Sequence, residues 1–108
     1  MKIEQHQDTL RVFGVRQLDS AHANMVYEAV IEAVTAGVRY IEVDLSGTVF
    51  LDSCGLGTLV ALRKLVAPRA GGVRLLNPTP AARQLLELTR LYRILEVVQL
   101  EEVPAEAN

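Results

Sequence analysis

Apolar and polar residues alternate along five short segments of the chain, which is the period of a β-strand with one buried face. In the second segment Leu10 and Val12 alternate with Arg11, and Gly14 ends or bulges the strand. The third segment carries two carboxylates on one side, which argues against a strand buried on both faces. The predicted strands are KIEQHQ (2–7), DTLRVFGV (8–15), VRYIEVDLSG (38–47), VRLLN (73–77) and the edge strand LEVVQL (95–100).

Three intervening segments place apolar residues at helical spacing and are predicted to be helices. Asp19 or Ser20 is expected to cap the first helix, and Gly37 is expected to end it. Thr79 is expected to cap the third helix, with Pro80 as its first residue. The predicted helices are residues 18–37, the run from Leu56 to Val66 that begins near Gly55, and residues 77–91, which Leu85, Leu86 and Leu88 are expected to bury.

The order of these elements predicts the fold class. Strands that alternate with helices pair in parallel through right-handed crossovers, whereas the two N-terminal strands are joined directly by a polar turn near Gln7. We therefore expect one α/β domain over residues 1–108, with a small mixed β-sheet that is mostly parallel and helices packed mainly on one face. Its core is expected to span about residues 9–100, and the polar residues 101–108 are expected to form a frayed tail.

Composition excludes several classes of protein. The 108 residues are half apolar and carry 11 basic against 13 acidic residues, and the basic ones are scattered, so direct binding to nucleic acid is not expected. The single cysteine excludes an internal disulfide and a multi-cysteine zinc site. The N-terminus lacks the apolar stretch of a signal peptide, and no run is long enough to insert into a membrane. We therefore expect a cytoplasmic protein.

The segment FLDSCGLGTLV, residues 50–60, concentrates the residues of chemical interest. It follows a predicted strand and opens the second helix. A helix N-terminus presents free N–H groups and a partial positive charge, which favour an anion. Four interpretations are therefore open for this segment: a structural cap, a phosphate-binding loop, a nucleophile and a phosphorylation site.

The first two interpretations concern structure and anion binding. In the first interpretation, Asp52 or Ser53 caps the helix, and the two glycines, Gly55 and Gly57, permit a tight turn. Capping needs only one such residue, so it does not explain why all four occur together. A phosphate-binding P-loop is rejected because it needs a lysine after its last glycine, where this chain has Thr58.

The other two interpretations concern reactivity. Cys54 could be a thiolate nucleophile, but such an enzyme needs a positioned base, for which His6 and His22 are the candidates. Both histidines are more typical of surface residues, so no catalytic residue is expected, and no metal or other cofactor. Ser53, in contrast, could receive a phosphate on an exposed loop, which would add roughly −1.5 to −2 charges beside Asp52 without unfolding the domain.

The stretch VDLSGTVFLDSCGLGTLVALRKL resembles the signature of STAS domains, and specifically that of bacterial anti-sigma factor antagonists. That signature is a V-D-L strand, a short loop, D-S-[ST]-G-L-G and a helix. LRVFGVRQLD resembles the family's earlier strand, and GGVRLLNPTPAARQLLELTRLYRIL resembles its later strand and helix. Together the three stretches cover most of residues 9–95, and the resemblance implies a STAS fold.

The resemblance also implies a partner-switching mechanism. The unphosphorylated antagonist binds an anti-sigma factor that is also a serine kinase, and a sigma factor is thereby released. The kinase phosphorylates the serine after the motif aspartate, which is Ser53 here, and a serine phosphatase reverses the step. The chain would then be a binding protein and a substrate, not an enzyme. The expected partner-binding residues are Asp19, Asp52, Ser53, Cys54, Gly55, Leu56 and Gly57.

Cys54 departs from the family pattern, which usually has Ser or Thr at this position. We expect Cys54 to be a small buried residue, and its oxidation beside Ser53 is the alternative. An alternative function is also open, because STAS domains occur as accessory subunits that bind the ATPase of lipid-transport ABC complexes.

Overall fold

The computed structural model describes residues 1–100, and the predicted tail at residues 101–108 lies outside them. The strands are β1 (Lys2–His6), β2 (Thr9–Phe13), β3 (Gln17–Leu18), β4 (Tyr40–Asp44), β5 (Phe50–Leu51), β6 (Gly72–Leu76) and β7 (Glu96–Val98). The helices are α1 (Ala23–Ala33), α2 (Ser53–Val66) and α3 (Pro80–Leu88), with short 3-10 helices at Ala67–Arg69 and Leu91–Arg93. Every helix in the described part of the chain is too short or too polar to cross a membrane.

Five of the strands form one mixed sheet in the order β1-β2-β4-β6-β7. β1 and β2 pair antiparallel, and the other neighbouring pairs in this sheet are parallel. The turn between β1 and β2 places Gln7 at a φ of 58°, and Gly14, at a φ of 76°, follows the last residue of β2. The predicted mixed sheet, with an antiparallel N-terminal pair, is confirmed.

One face of the large sheet is apolar and packs against the helices. Parallel pairing places Ile41 of β4 directly between Leu10 of β2 and Val73 of β6, so the inward residues of neighbouring strands lie side by side. Burying each aliphatic side chain of this size contributes about 1.5–3 kcal/mol. The helices complete this core with Val26, Val30, Leu56, Leu59, Leu62, Val66 and Leu86, all of which are buried.

The opposite face of the large sheet is polar and carries what we name the charged row. Five residues lie in register on five neighbouring strands, and the signs of their charges alternate from one strand to the next. Like charges directly opposite each other would destabilise a sheet, whereas opposite charges stabilise it. The charged row consists of Glu4, Arg11, Glu42, Arg74 and Glu96.

Glu42 lies at the centre of the charged row and is held by both neighbouring arginines. Its Oε1 accepts hydrogen bonds from Nε and Nη2 of Arg11 at 2.9 and 2.7 Å, and its Oε2 accepts one from Nη1 of Arg74 at 2.9 Å. Burial raises the pKa of Glu42, but the hydrogen bonds and the positive charges of the two arginines together outweigh burial and leave the pKa below its usual value. The charges on this face are therefore satisfied by one another.

A second, two-stranded sheet was not predicted from the sequence. β3 and β5 pair in parallel, with Gln17 opposite Phe50 and Leu18 opposite Leu51. Each strand is two residues long, which is too short to show the alternation that identifies a strand. This small sheet matters because α1 and α2 follow its two strands.

The first helix begins later than predicted. His22 is the N-cap of α1 and makes no side-chain capping hydrogen bond, so the prediction that Asp19 or Ser20 caps this helix is wrong. The backbone carbonyl of Asp19 instead accepts the N–H groups of His22 and Ala23 at 3.0 and 2.7 Å. A tight turn therefore separates β3 from the helix.

Two further details of the helices differ from prediction, and one agrees. α1 ends at Ala33 and passes into extended backbone, so Gly37 does not stop it. Leu88 is 73% exposed. It lies two positions after the buried Leu86, which is about 200° around the helix, so it is on the opposite side. The predicted cap of the third helix is confirmed, since Oγ1 of Thr79 accepts an N–H of the first turn of α3 at 3.2 Å.

Candidate functional site

Asp52 fixes the first turn of α2, and we name residues 52–57 the α2 turn. Asp52 is the N-cap, and its Oδ1 accepts the N–H groups of Cys54 at 2.9 Å and Gly55 at 3.1 Å. A side-chain cap of this kind contributes about 1 kcal/mol to helix stability. Of the two predicted caps Asp52 is therefore confirmed. The helix begins at Ser53, two residues earlier than predicted.

Ser53 is the first residue of α2 and is exposed. Among residues 1–100, the hydrogen bonds that hold the α2 turn are accepted by Asp52, and none of them involves the hydroxyl of Ser53. The Ser53 hydroxyl is therefore accessible to another molecule, and a change to it would leave the cap in place.

The small sheet brings the start of α1 beside the α2 turn. β3 and β5 are parallel, so the residues that follow them meet at one edge, and we name residues 19–22 the α1 turn. The backbone N–H of Ser20 donates to Oδ2 of Asp52 at 3.0 Å, and the N–H of Asp52 donates to the carbonyl of Leu18 at 3.4 Å. One carboxylate thus caps α2 and also ties the two turns together.

Asp19 lies in the α1 turn and pairs with His22. Nδ1 of His22 lies 2.7 Å from Oδ1 of Asp19, and the hydrogen bond from the histidine holds the pKa of Asp19 below its usual value. Sequence reasoning treated His22 only as a candidate base for Cys54, although the D-x-x-H spacing could have indicated this pair. Among the described residues no cluster of histidine, cysteine and carboxylate side chains is arranged to hold a metal ion.

Gly55 and Leu56 lie on the core side of the α2 turn. A Cβ on Gly55 would lie 1.9 Å from the carbonyl oxygen of Leu18 and 2.9 Å from Cδ1 of Leu51, so only glycine fits. Leu56 is 5% exposed and belongs to the core. These two predicted partner-binding residues support the turn from inside, because the close approach of α2 to β3 leaves them no surface.

Cys54 and Gly57 lie on the solvent side of the same turn. Cys54 is exposed, so the expectation of a small buried residue is wrong. A Cβ on Gly57 would meet nothing within 4 Å, so the fold does not require glycine there. Both residues line a shallow groove between α1 and α2, to which Asn24 and Tyr27 also contribute.

Two exposed apolar residues, Val49 and Phe50, are separated from the α2 turn only by Leu51 and were missing from the predicted site. They are 61% and 56% exposed. The signal in the sequence is two adjacent large apolar residues, but Phe50 opens β5 and the next residue, Leu51, packs against the core, so no pattern separates the exposed residues from the buried ones that follow.

This chain is similar to the anti-sigma F factor antagonist of Paenibacillus polymyxa, with 26% identity over 102 residues that cover 94% of this chain and 87% of that protein. The fold of this chain is that of a Thermotoga maritima protein described as a candidate anti-sigma factor antagonist. The TM-score is 0.83 at 23% identity, with coverage of 98% of this chain and 89% of that chain.

The fold is also that of SpoIIAA, an anti-sigma factor antagonist. Its unphosphorylated form gives a TM-score of 0.77 at 21% identity, with coverage of 98% of this chain and 90% of SpoIIAA. The phosphorylated form of Bacillus SpoIIAA gives 0.70 at 21% identity, with coverage of 98% and 94%. At these identities the structural likeness establishes a shared fold.

The family model of the STAS domain matches residues 1–107. The match spans both sheets, all three helices and the α1 and α2 turns. The chain therefore belongs to the STAS domain family.

Proposed function

We propose that this chain is an anti-sigma factor antagonist that Ser53 phosphorylation switches off. Its unphosphorylated form binds an anti-sigma factor of the serine-kinase type, and a sigma factor is thereby released. The observation that carries the proposal is the exposed Ser53 hydroxyl, which takes no part in the cap beside it. The Paenibacillus relative and SpoIIAA are both anti-sigma factor antagonists, which supports the same class of protein for this chain.

The covalent step needs only an acceptor hydroxyl from this chain. The kinase transfers the γ-phosphoryl group of ATP to Oγ of Ser53, which loses its proton to the kinase, and ADP leaves. A serine phosphatase later hydrolyses the ester, which restores Ser53 and releases inorganic phosphate. Both reactions are catalysed by the partners, so the chain acts as their substrate.

The α2 turn offers a new phosphate little compensation. The N–H groups of Cys54 and Gly55, which a helix N-terminus would otherwise present to an anion, already donate to Asp52. A phosphate on Ser53 would therefore bring roughly −1.5 to −2 charges next to a carboxylate that is in place. Most of that charge would face the partner.

The size of this effect is sufficient for a switch without refolding. A like-charge contact or a charge left unpaired in an interface costs several kcal/mol. About 4 kcal/mol corresponds to roughly a thousandfold change in affinity. In this proposal the outward residues Asp19, Asp52, Ser53, Cys54 and Gly57 contact the partner, while Gly55 and Leu56 hold the turn in position.

The site of modification is tested by phosphorylation in vitro. Each serine-kinase anti-sigma factor of the source organism is purified and incubated with this chain and labelled ATP. We expect one phosphate on wild type and on Ser20→Ala, and none on Ser53→Ala. Ser20 serves as the control because it is also an exposed serine, on the neighbouring turn. Label that persists on Ser53→Ala would contradict the assignment.

The switch itself is tested by calorimetric binding to the same kinases. Ser53→Ala should bind as tightly as wild type, and Ser53→Asp should keep its melting temperature while its affinity falls about a hundredfold to a thousandfold. Tight binding by Ser53→Asp would contradict the switch, and weak binding by Ser53→Ala would assign the hydroxyl to the interface instead. No observation on residues 1–100 favours the alternative of a subunit that binds an ABC ATPase.

A further inference from the structure

Val49 and Phe50 expose apolar surface that the fold does not need. Among the large apolar residues that are exposed within residues 1–100, these two are the one pair adjacent in sequence. Their neighbour Leu51 turns inward and packs against the core. A polar residue in place of Phe50 would leave the strand pairing intact, because β5 is held to β3 by its backbone.

The backbone under these two side chains is tied down. The buried Thr48 donates from Oγ1 to the carbonyl of Val15 at 2.6 Å. The N–H groups of Val49 and Phe50 both point to the carbonyl of Arg16, at 2.8 and 3.4 Å. An apolar surface on a fixed backbone loses little conformational entropy on binding, which is the property of an interface anchor.

Val49 and Phe50 lie close enough to Ser53 along the chain to share an interface that is centred on it. Phe50 lies three positions before Ser53, so their Cα atoms are at most about 11 Å apart. A protein interface of ordinary size covers about 800 Å² on each partner, which is a disc with a radius of about 16 Å. Phe50 is therefore within reach of a partner whose interface is centred on Ser53.

We propose that Val49 and Phe50 form the apolar anchor of the anti-sigma factor complex, with the Phe50 ring in an apolar pocket of the partner. This inference rests on the proposed function and divides the site into two parts. Phe50 supplies affinity in the unphosphorylated state, and Ser53 supplies the switch. Loss of the Phe50 ring should therefore weaken binding to the partner. The factor by which Ser53→Asp lowers the affinity should be the same with and without the ring.

The test uses a series of variants with a matched control. Phe50→Ala, Phe50→Leu and Val49→Ala are compared with Leu88→Ala, which removes a leucine that is 73% exposed on α3. Circular dichroism and melting temperature establish that each variant is folded. Dissociation constants and dissociation rates are then measured with the same purified anti-sigma factors, and self-association is measured by sedimentation.

We expect Phe50→Ala to bind about thirtyfold more weakly, mainly through faster dissociation, and Val49→Ala to lose up to about fivefold. Phe50→Leu should retain most of the affinity because it keeps an apolar side chain, and Leu88→Ala should match wild type. If Phe50→Ala unfolds, a Phe50→Thr variant replaces it and is compared with Phe50→Leu. Phe50→Thr should then bind more weakly than Phe50→Leu, because it lacks the large apolar side chain.

The outcomes separate this inference from the proposed function. Binding by Phe50→Ala within threefold of wild type, while Ser53→Asp fails to bind, would overturn the anchor and leave the switch intact. A wild-type dimer that Phe50→Ala makes monomeric, with partner affinity unchanged, would also overturn it by assigning the surface to a second copy. If no serine-kinase anti-sigma factor of the source organism binds wild type, the proposed function and the anchor both fail.

Discussion

The charged row and the α2 turn use polar groups in opposite ways. In the charged row Glu42 is held by arginines on both neighbouring strands, so the charges satisfy one another and the face is complete. In the α2 turn the carboxylate of Asp52 accepts the hydrogen bonds of the cap, while the side chains of Ser53 and Cys54 are exposed and take no part in it. Groups that the fold does not use are the better candidates for function.

The two glycines of the α2 turn, which are two positions apart, show the same contrast between a residue that the fold requires and one that it does not. Gly55 lies against the backbone of β3, where a Cβ has no room. Gly57 faces open space, although glycine in a helix costs about 0.5–1 kcal/mol relative to alanine. The fold therefore accounts for Gly55 and gives no reason for a glycine at position 57.

The largest effect on stability is expected for Gly55→Ala. The new methyl group would lie 1.9 Å from the carbonyl oxygen of Leu18, and backbone on both sides of the contact must shift. We expect a loss of about 3 kcal/mol or more in the free energy of unfolding, measured by urea denaturation. Unchanged stability would mean that α2 does not approach β3 as closely as the structure shows.

The next effect is expected for Asp52→Ala, because three N–H groups lose their acceptor. These belong to Ser20, Cys54 and Gly55. We expect a loss of about 1–2 kcal/mol, measured in the same denaturation experiment. Asp52→Asn should lose less because it still caps α2, and Ser53→Ala should lose nothing. A destabilised Ser53→Ala would contradict the assignment of the cap to Asp52 alone.

A smaller, pH-dependent effect is expected for Glu42→Gln in the charged row. Since the folded-state pKa of Glu42 is lowered, its ionised form stabilises the fold above its usual pKa, and this contribution is lost as the pH falls through the folded-state value. We expect a loss of about 1 kcal/mol near pH 7 that shrinks below about pH 4.

The control for this pH dependence is Glu4→Gln at the edge of the same row. The Glu4 side chain is 42% exposed, and its partners Lys2 and His6, at 3.7 and 3.5 Å, are exposed as well, so its removal should change stability little from pH 3 to pH 8. Thermal unfolding of both variants from pH 3 to pH 8 gives the comparison. A Glu42→Gln effect that is equal at all pH values would contradict an electrostatic role for Glu42.

The smallest effect on stability is expected for Gly57→Ala, and its sign is opposite. The variant should gain about 0.5–1 kcal/mol, because alanine has less freedom to lose in a helix and its methyl group meets nothing. Under the proposed function its affinity for the anti-sigma factor should fall. A variant that is more stable and binds as tightly as wild type would remove Gly57 from the interface.

Sequence reasoning succeeded where a pattern repeats and failed where a contact is unique. Alternation identified β4 and its neighbours, and helical periodicity identified α2 and α3. The α1 turn was misjudged because two candidate caps precede the helix, and only the path of the chain out of β3 selects His22. β3 and β5 are too short to carry a period.

The candidate site was found by its motif, but its internal arrangement was not. The order Asp-Ser-Cys-Gly at a helix start indicated Ser53 and the cap. The sequence could not separate Gly55 from Gly57, because both are glycines in one turn and differ only in what lies opposite them. Nor could it show that Cys54 is exposed, since the burial of a helix residue depends on which side faces the sheet.

The sequence by itself determined the strands of the large sheet and the three helices, their order, the buried face of the large sheet and the position of Ser53 at a helix N-terminus, because these follow from local periodicity and capping chemistry. Only the tertiary structure decided that β3 pairs with β5, that Asp52 joins the α1 and α2 turns, and that Val49 and Phe50 are left exposed beside Ser53. These features depend on contacts between residues about 30 positions apart, such as Ser20 with Asp52, and no local pattern encodes such a contact.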